Sequence, residues 1–467
     1  MRFPIWLTIV AALVGLALVY VLGTIVIKPN APLIMRASFD DERITPNADG
    51  DSDITTFRYE LSRSAIISLI FTREDGREFI FRQNQSRSPR DYSVLFSGVV
   101  DGYINADETF SDDVVIERRL MPDGVYTWRL TAANDGEQEE ANGTLIIEDA
   151  DSPLPLISTF TVGSREFTPN QDGISDRVVI NVYLEKEANL NAFLVTEDGD
   201  RFPIAQREEW SRDGEAGRYT FDYEGGVDLG QDPPPDGDYA IVVIAQDDEG
   251  QRVRRESRLA IRMGGKPRAE IAPQAIDADV LFMPIAYDDR YYGDLDSTGA
   301  LLALPQYPEA VRASVVTVPL GDMLVFRLTI NNYSDVPLRT TSPMPGTVYE
   351  QNQNAASLGA LEEPGAWRVG IQCATSIASF PYRWAIGSDD DLVTIVDEDT
   401  GREFQYLPPQ TQAVVWGAIR MTDLNEAANP QTCWAGLIHE QVGIGVENAF
   451  VGARDIQLAT PYGADED

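Results

Sequence analysis

The sequence predicts an all-β protein: two tandem copies of one β-sandwich module and a third, different β-sandwich, all following a single N-terminal transmembrane helix. Three observations carry this prediction. Residues 4–27 form an uncharged apolar run. A motif-bearing segment recurs at a fixed offset. Elsewhere, short runs alternate apolar and polar residues between Gly, Pro and Asp.

The apolar run reads PIWLTIVAALVGLALVYVLGTIVI. As a helix it would span roughly 36 Å, enough for a hydrocarbon core of about 30 Å. Trp6 and Tyr20 are amphipathic aromatics, and Trp6 sits near one end, where an interfacial residue belongs. A cleaved signal peptide has a shorter apolar core and a small-x-small cleavage site. Here the core is longer and no Ala-x-Ala follows, so residues 1–30 read as an uncleaved anchor. The flanking charges, Arg2 and the terminal amine against Lys28 and Arg36, are nearly balanced. Long domains translocate largely regardless of such charges, so the expected orientation is N-terminus inside and bulk extracytoplasmic.

The repeat begins ITPNADGDSDITTFRYEL at Ile44 and FTPNQDGISDRVVINVYL at Phe167. At an offset of 123, Thr45, Pro46, Asn47, Asp49, Gly50 and Asp53 match Thr168, Pro169, Asn170, Asp172, Gly173 and Asp176. The turn Asp75-Gly76 matches Asp198-Gly199. Each copy closes on the same motif, Pro122-Asp123-Gly124 before Val125-Tyr126 and Pro235-Asp236-Gly237 before Asp238-Tyr239, now at an offset of 113. Copy two is therefore ten residues shorter in its middle. Phe57, Tyr59 and Leu61 alternate with polar residues, as do Val178, Ile180, Val182 and Leu184, which places one face on a core. Short strands joined by Asp-Gly turns indicate antiparallel sandwiches over residues 33–150 and 153–262.

The order TPNxDGxxD, apolar alternation, a DG turn, then PDGxY and a closing strand resembles the Ig-like module of bacterial flagellar hook-capping proteins. Related modules recur in many bacterial surface proteins. The resemblance covers residues 33–262, about half the chain. It implies two tandem Ig-like β-sandwiches acting as spacer or interaction modules without catalysis. Hook-capping proteins are not expected to carry such an anchor, so hook assembly is not carried over.

Asn47, Asp49, Asp51 and Asp53 alternate along the first motif, and Asn170, Asp172 and Asp176 along the second. Ca²⁺ takes six to eight hard oxygens, which such a loop can offer. The pattern is not an EF-hand, because Arg58 and Asn181 stand where the bidentate Glu belongs. Asn and Asp also build Asx-turns, and Gly takes positive φ, so the same residues can simply shape the entry to the first strand. Ile174 in place of Asp51 removes a candidate ligand from copy two.

Residues 263–270 read as a linker, and residues 275–460 as a distal β-sandwich. Leu324, Phe326, Leu328 and Ile330 alternate as a half-buried strand, and residues 392–406 form a hairpin around Asp399-Thr400-Gly401. The stretch from Tyr287 to Leu304 reads as a long, partly exposed loop whose aromatics offer a contact surface or, the favoured reading, pack on their own domain. Cys373 and Cys433 are the only cysteines; in an oxidising compartment they form one bridge, and otherwise two buried thiols.

Acidic residues number 75 against 37 basic ones, a net charge of −38 that argues against nucleic acid. The single histidine, His439, has no second His for a zinc pair and reads as an ordinary strand residue. No GxSxG elbow, Walker loop or dinucleotide fingerprint is present, so neither an enzyme nor a required cofactor is expected. The expectation is a non-catalytic, membrane-anchored extracytoplasmic protein whose spacer modules present a distal domain to a protein or glycan partner. A Ca²⁺-dependent adhesive stalk is the alternative, and an extracytoplasmic hydrolase or inhibitor the third.

Overall fold

The structure is a computed structural model that describes residues 10, 12–21, 31–206, 214–273, 278–289, 301–306, 314–397 and 400–460. Residues 12–21 of the apolar run are helical and the rest of 4–27, apart from Val10, lies outside the described residues. Among the described residues no helix is long and apolar enough to cross a membrane. Asp399, most of the Tyr287–Leu304 stretch and the acidic tail also lie outside them. The chain forms two compact units. The first comprises residues 1–162, 180–221 and 240–258, and the second 163–179, 222–239 and 259–467.

In the first unit, copy one is a two-layer sandwich. Strands Ile34–Phe39, Thr55–Leu61 and Asp91–Phe96 form one sheet. Arg43–Ile44, Glu137–Ile147, Gly124–Asn134, Ala65–Arg73 and Glu78–Arg87 form the other. The alternating residues Phe57, Tyr59 and Leu61 are all buried, as their period of two requires. Phe39, Phe57, Phe71, Phe96 and Trp128 meet between the layers, with ring centroids 4.7 Å apart for Phe39 and Phe57 and 5.2 Å for Phe57 and Trp128.

The closing motif has a local cause in both copies. The Tyr126 hydroxyl donates to the Pro122 carbonyl, and Tyr239 does the same to Pro235, a tyrosine corner. The Asp of the motif then receives the chain leaving the module: Asp123 accepts from the Ala150 N–H, and Asp236 from those of Met263 and Gly264.

The extra residues of copy one fall between its sixth strand and its closing motif. There, Val99–Asp101 and Val114–Leu120 form an added hairpin. Its second strand pairs with Arg252–Arg255 of the closing strand of copy two, so the two copies share a seven-stranded sheet. Arg252 and Arg254 both reach Glu117, at 2.9 and 3.2 Å. The buried Gln251 side chain accepts from the Leu120 N–H and donates to the Asp151 and Pro153 carbonyls, filling the joint with satisfied hydrogen bonds.

In the second unit the distal sandwich packs two larger sheets. One carries Ala269–Ala272 and Leu281–Ile285 on Met323–Asn332, followed by Gln412–Arg420 and Val348–Glu350. The other is eight-stranded and includes Trp367–Cys373, Gln431–His439, Leu338–Thr340 and the hairpin Val393–Val396 with Glu403–Leu407. Leu324, Phe326, Leu328 and Ile330 all enter the main core. The beginning of their strand is buried on both faces, because Met323 and Val325 pack on Leu281, Met283 and Val348 in a second cluster. Alternation alone predicted one buried face. Tyr287 lies against its own domain, 3.6 Å beneath the Arg420 guanidinium.

Candidate functional site

The acidic motif loops fold alike in both copies. Ala48, Gly50 and Ser52 take positive φ, as do Gln171, Gly173 and Ser175. At Gly50 and Gly173, with φ of 90° and 82°, glycine supplies a backbone state that side chains resist. The last Asp of each motif gathers backbone donors. Asp53 accepts from the N–H groups of Asn47, Ala48 and Gly50, and Asp176 from those of Asn170, Asp172 and Gly173. Asn47, Asp49, Asn170 and Asp172 each accept from the N–H two residues on, as Asx-turns do. Six of the seven candidate Ca²⁺ ligands thus turn a side-chain oxygen to N–H groups, and Asp51 accepts from the Ser52 hydroxyl. Among the described residues no group of three or more His, Cys, Asp or Glu is arranged to hold a metal ion.

In copy two this loop is clasped by the distal sandwich. Arg339 donates through Nε to the Asp172 carbonyl at 2.6 Å, and also to the Pro364 carbonyl and to Glu363. The Tyr406 hydroxyl donates to the Asp172 carboxylate at 2.8 Å. Burial and the adjacent Asp172 push Asp176 up to about 7, against the pull of its N–H donors. Ile174, which replaces the candidate ligand Asp51, lines a groove of mixed polarity with Ile395 and Phe404.

His439 closes the clasp. Its Nε2 lies 2.7 Å from the Gln171 carbonyl, and since a carbonyl only accepts, the ring carries its proton there. The ring stacks on Trp367 at 4.2 Å, and burial pushes its pKa down to about 4. It is a strand residue, as expected, and also a cross-bridge between elements distant in sequence. The neighbouring Glu440 is buried against Arg368 and Arg383, both at 2.9 Å. The only sequence signal for this cluster was a lone His beside an acid at the end of an apolar strand.

Trp367–Cys373 and Gln431–His439 run antiparallel, and Trp367 and His439 mark the clasped end. Their opposite ends lie roughly 20 Å away along the strands. There Cys373 and Cys433 are joined by a disulfide, and a groove of about 430 Å³ opens above it. Its walls are the turn at 351–354, the loop at 375–381 and the segment 421–425. Gln351 sews two walls together: its amide oxygen accepts from the Thr422 and Asp423 N–H groups, and its nitrogen donates to the Asp423 carbonyl. The Tyr382 hydroxyl donates to the Gln351 carbonyl and holds its ring in the floor. Asn354 and Ser357 form a reciprocal capping box. With one carboxylate, Asp423, and no histidine, the lining offers hydrogen bonds but no acid–base pair.

A larger cleft of about 600 Å³ lies in the first unit. Its cations are already neutralised: Arg119 by Glu108, Arg255 by Asp113, and Lys186 by Asp151, Asp247 and Glu249. The distal groove is therefore the stronger candidate.

No protein-family model matches this sequence, and no curated protein matches it. The chain is similar to a solved portion of a 1.5-MDa bacterial ice-binding adhesin, at 12% identity over 92% of this chain and 98% of that one, with a TM-score of 0.19. It is also similar to three N-terminal domains of the Hoc outer capsid protein of bacteriophage RB49, at 8% identity over 91% and 98% of the two chains and a TM-score of 0.22. A third similar structure is SGBP-B of the Bacteroides ovatus mixed-linkage glucan utilization locus, at 11% identity over 92% and 71% and a TM-score of 0.14. At these TM-scores the likeness carries no argument. The all-β, Ig-like character stands on strand order, register and the tyrosine corners.

Proposed function

We propose that this chain is a non-catalytic, membrane-anchored protein of the bacterial cell exterior. Residues 4–27 anchor it with the N-terminus inside, the tandem Ig-like copies serve as a spacer, and the distal sandwich engages a protein or glycan partner. The observation that carries this reading is the placement of the groove. It lies at one end of the distal sandwich, while the opposite end is committed to the clasp on Asp172 and Gln171. The sole histidine is buried in that clasp and held neutral, which supports a binding role over a catalytic one.

A photo-crosslinking residue at Ile377, on the groove wall, tests this in the native membrane, with Leu95 in copy one as the comparison site. Both side chains are exposed. Adducts are expected from position 377 and not from 95. Adducts from 95 alone would sink the reading. Protease added outside intact cells is expected to cut within 33–460, and full protection would refute the topology.

A further inference from the structure

We propose that the distal groove binds an uncharged oligosaccharide; this rests on reading that groove as the partner site. Charged residues make up 24% of the chain, yet of the groove's lining side chains only Asp423 is charged. Among the described residues no Arg or Lys lines it, so a phosphate, sulfate or uronate group would find no counter-charge there. One carboxylate is too few to select a basic peptide. The lining interleaves apolar residues with amides and hydroxyls and does not present the purely apolar floor an amphipathic helix would require.

What the groove does offer is amide and hydroxyl groups. Sugar hydroxyls both donate and accept, and Asn and Gln side chains do the same from one planar group. Gln431 is 7% exposed. Its Oε1 accepts from the Thr375 hydroxyl, which leaves its NH₂ as a donor at the groove. Asn352 and Asn425 stand exposed on the two walls that Gln351 joins. Ile377 and the half-buried Leu424 supply apolar surface for the C–H faces of a pyranose ring. The volume falls in the roughly 300–1,000 Å³ range of small-molecule clefts. The walls are fixed in advance by the disulfide, by Gln351 and by the capping box, so little ordering remains on binding.

The test applies the full chain to an array of neutral gluco-, manno- and galacto-oligosaccharides and N-acetylglucosamine oligomers, with uronate and sulfated oligomers as a charged set. Retention of at least one neutral class and none of the charged set is expected. Asn352→Ala combined with Asn425→Ala should weaken that retention by about tenfold or more, with an unchanged unfolding midpoint. Asn142→Ala in copy one should leave it intact. Absence of neutral retention, retention of charged sugars only, or indifference to the double substitution would overturn the inference. If no sugar binds while the crosslinker at 377 captures a protein, the display reading stands and the carbohydrate inference falls. If neither occurs, both fall.

Discussion

Glu440→Gln probes the most enclosed ion pair in the distal sandwich. The Arg368 and Glu440 side chains are each 1% exposed and meet at 2.9 Å. The other Glu440 oxygen accepts from the Glu363 N–H at 2.7 Å. An amide can keep only one of these acceptor roles; turned the other way, its NH₂ meets a donor. Arg383 retains Glu362 at 2.8 Å, but Arg368 keeps only the carbonyls of Leu361 and Thr341. A buried cation left without its anion costs about 3–5 kcal/mol, and the surviving amide acceptor places the expected loss near the lower end. With a urea m-value of roughly 1–3 kcal/mol/M, the midpoint should fall by on the order of 1 M or more. Tryptophan fluorescence is the assay, because Trp367, Trp384, Trp416 and Trp434 all lie in this sandwich. Adding Arg368→Met removes the stranded charge and should recover more than half of the loss. A loss under about 1 kcal/mol, or a double variant as unstable as the sum of its parts, would refute the reasoning.

Acid should weaken the distal unit through His439. Its folded pKa is lowered from 6.5 to about 4, so its contribution is complete above 6.5 and is lost as pH falls toward 4, by about 3 kcal/mol. Asp176 acts oppositely: raised from 3.8 to about 7, its contribution is complete below 3.8 and is lost as pH rises through 7. Urea midpoints from pH 4 to 8 should lose their acid-side slope in His439→Phe, and an unchanged slope would contradict this. Replacing Cys373 and Cys433 by Ser opens a loop of sequence separation 60 and should cost roughly 4 kcal/mol; equal midpoints with and without reductant would argue otherwise. Asp53→Ala strips acceptors from three N–H groups and should cost about 1–3 kcal/mol, while Ca²⁺ calorimetry on the parent stays silent. A Ca²⁺ heat abolished by Asp53→Ala would reverse that account.

Local chemistry made the modules legible. TPNxDG and PDGxY each fold through bonds spanning a few residues, such as Asp53 to Gly50 and Tyr126 to Pro122, so their recurrence in sequence signals recurrence in shape. The direction of those bonds was not legible. Alternating acids look alike whether their oxygens face an ion or a row of N–H groups. The role of His439 depends on Gln171, 268 positions away, which no local pattern encodes. The groove was equally hidden: its walls come from three separate segments, none distinctive alone. The extra length in copy one could be counted from the motif offsets, but its destination on the sheet of copy two depends on long-range pairing of Val114–Leu120 with Arg252–Arg255.

That shared sheet makes the two copies unequal heirs of one duplication. Arrays of self-contained modules can lengthen or shorten by recombination, because each unit presents the same surfaces as the next. Here copy one carries the hairpin that completes the edge of copy two, and among the described residues copy two shows no such hairpin to pass on. Deleting copy one would bare the backbone of Arg252–Arg255, and a second copy two inserted after the first would arrive with that edge uncovered. Hydrogen-bond geometry thereby makes the order of the two copies non-interchangeable, because each meets the other through a different edge.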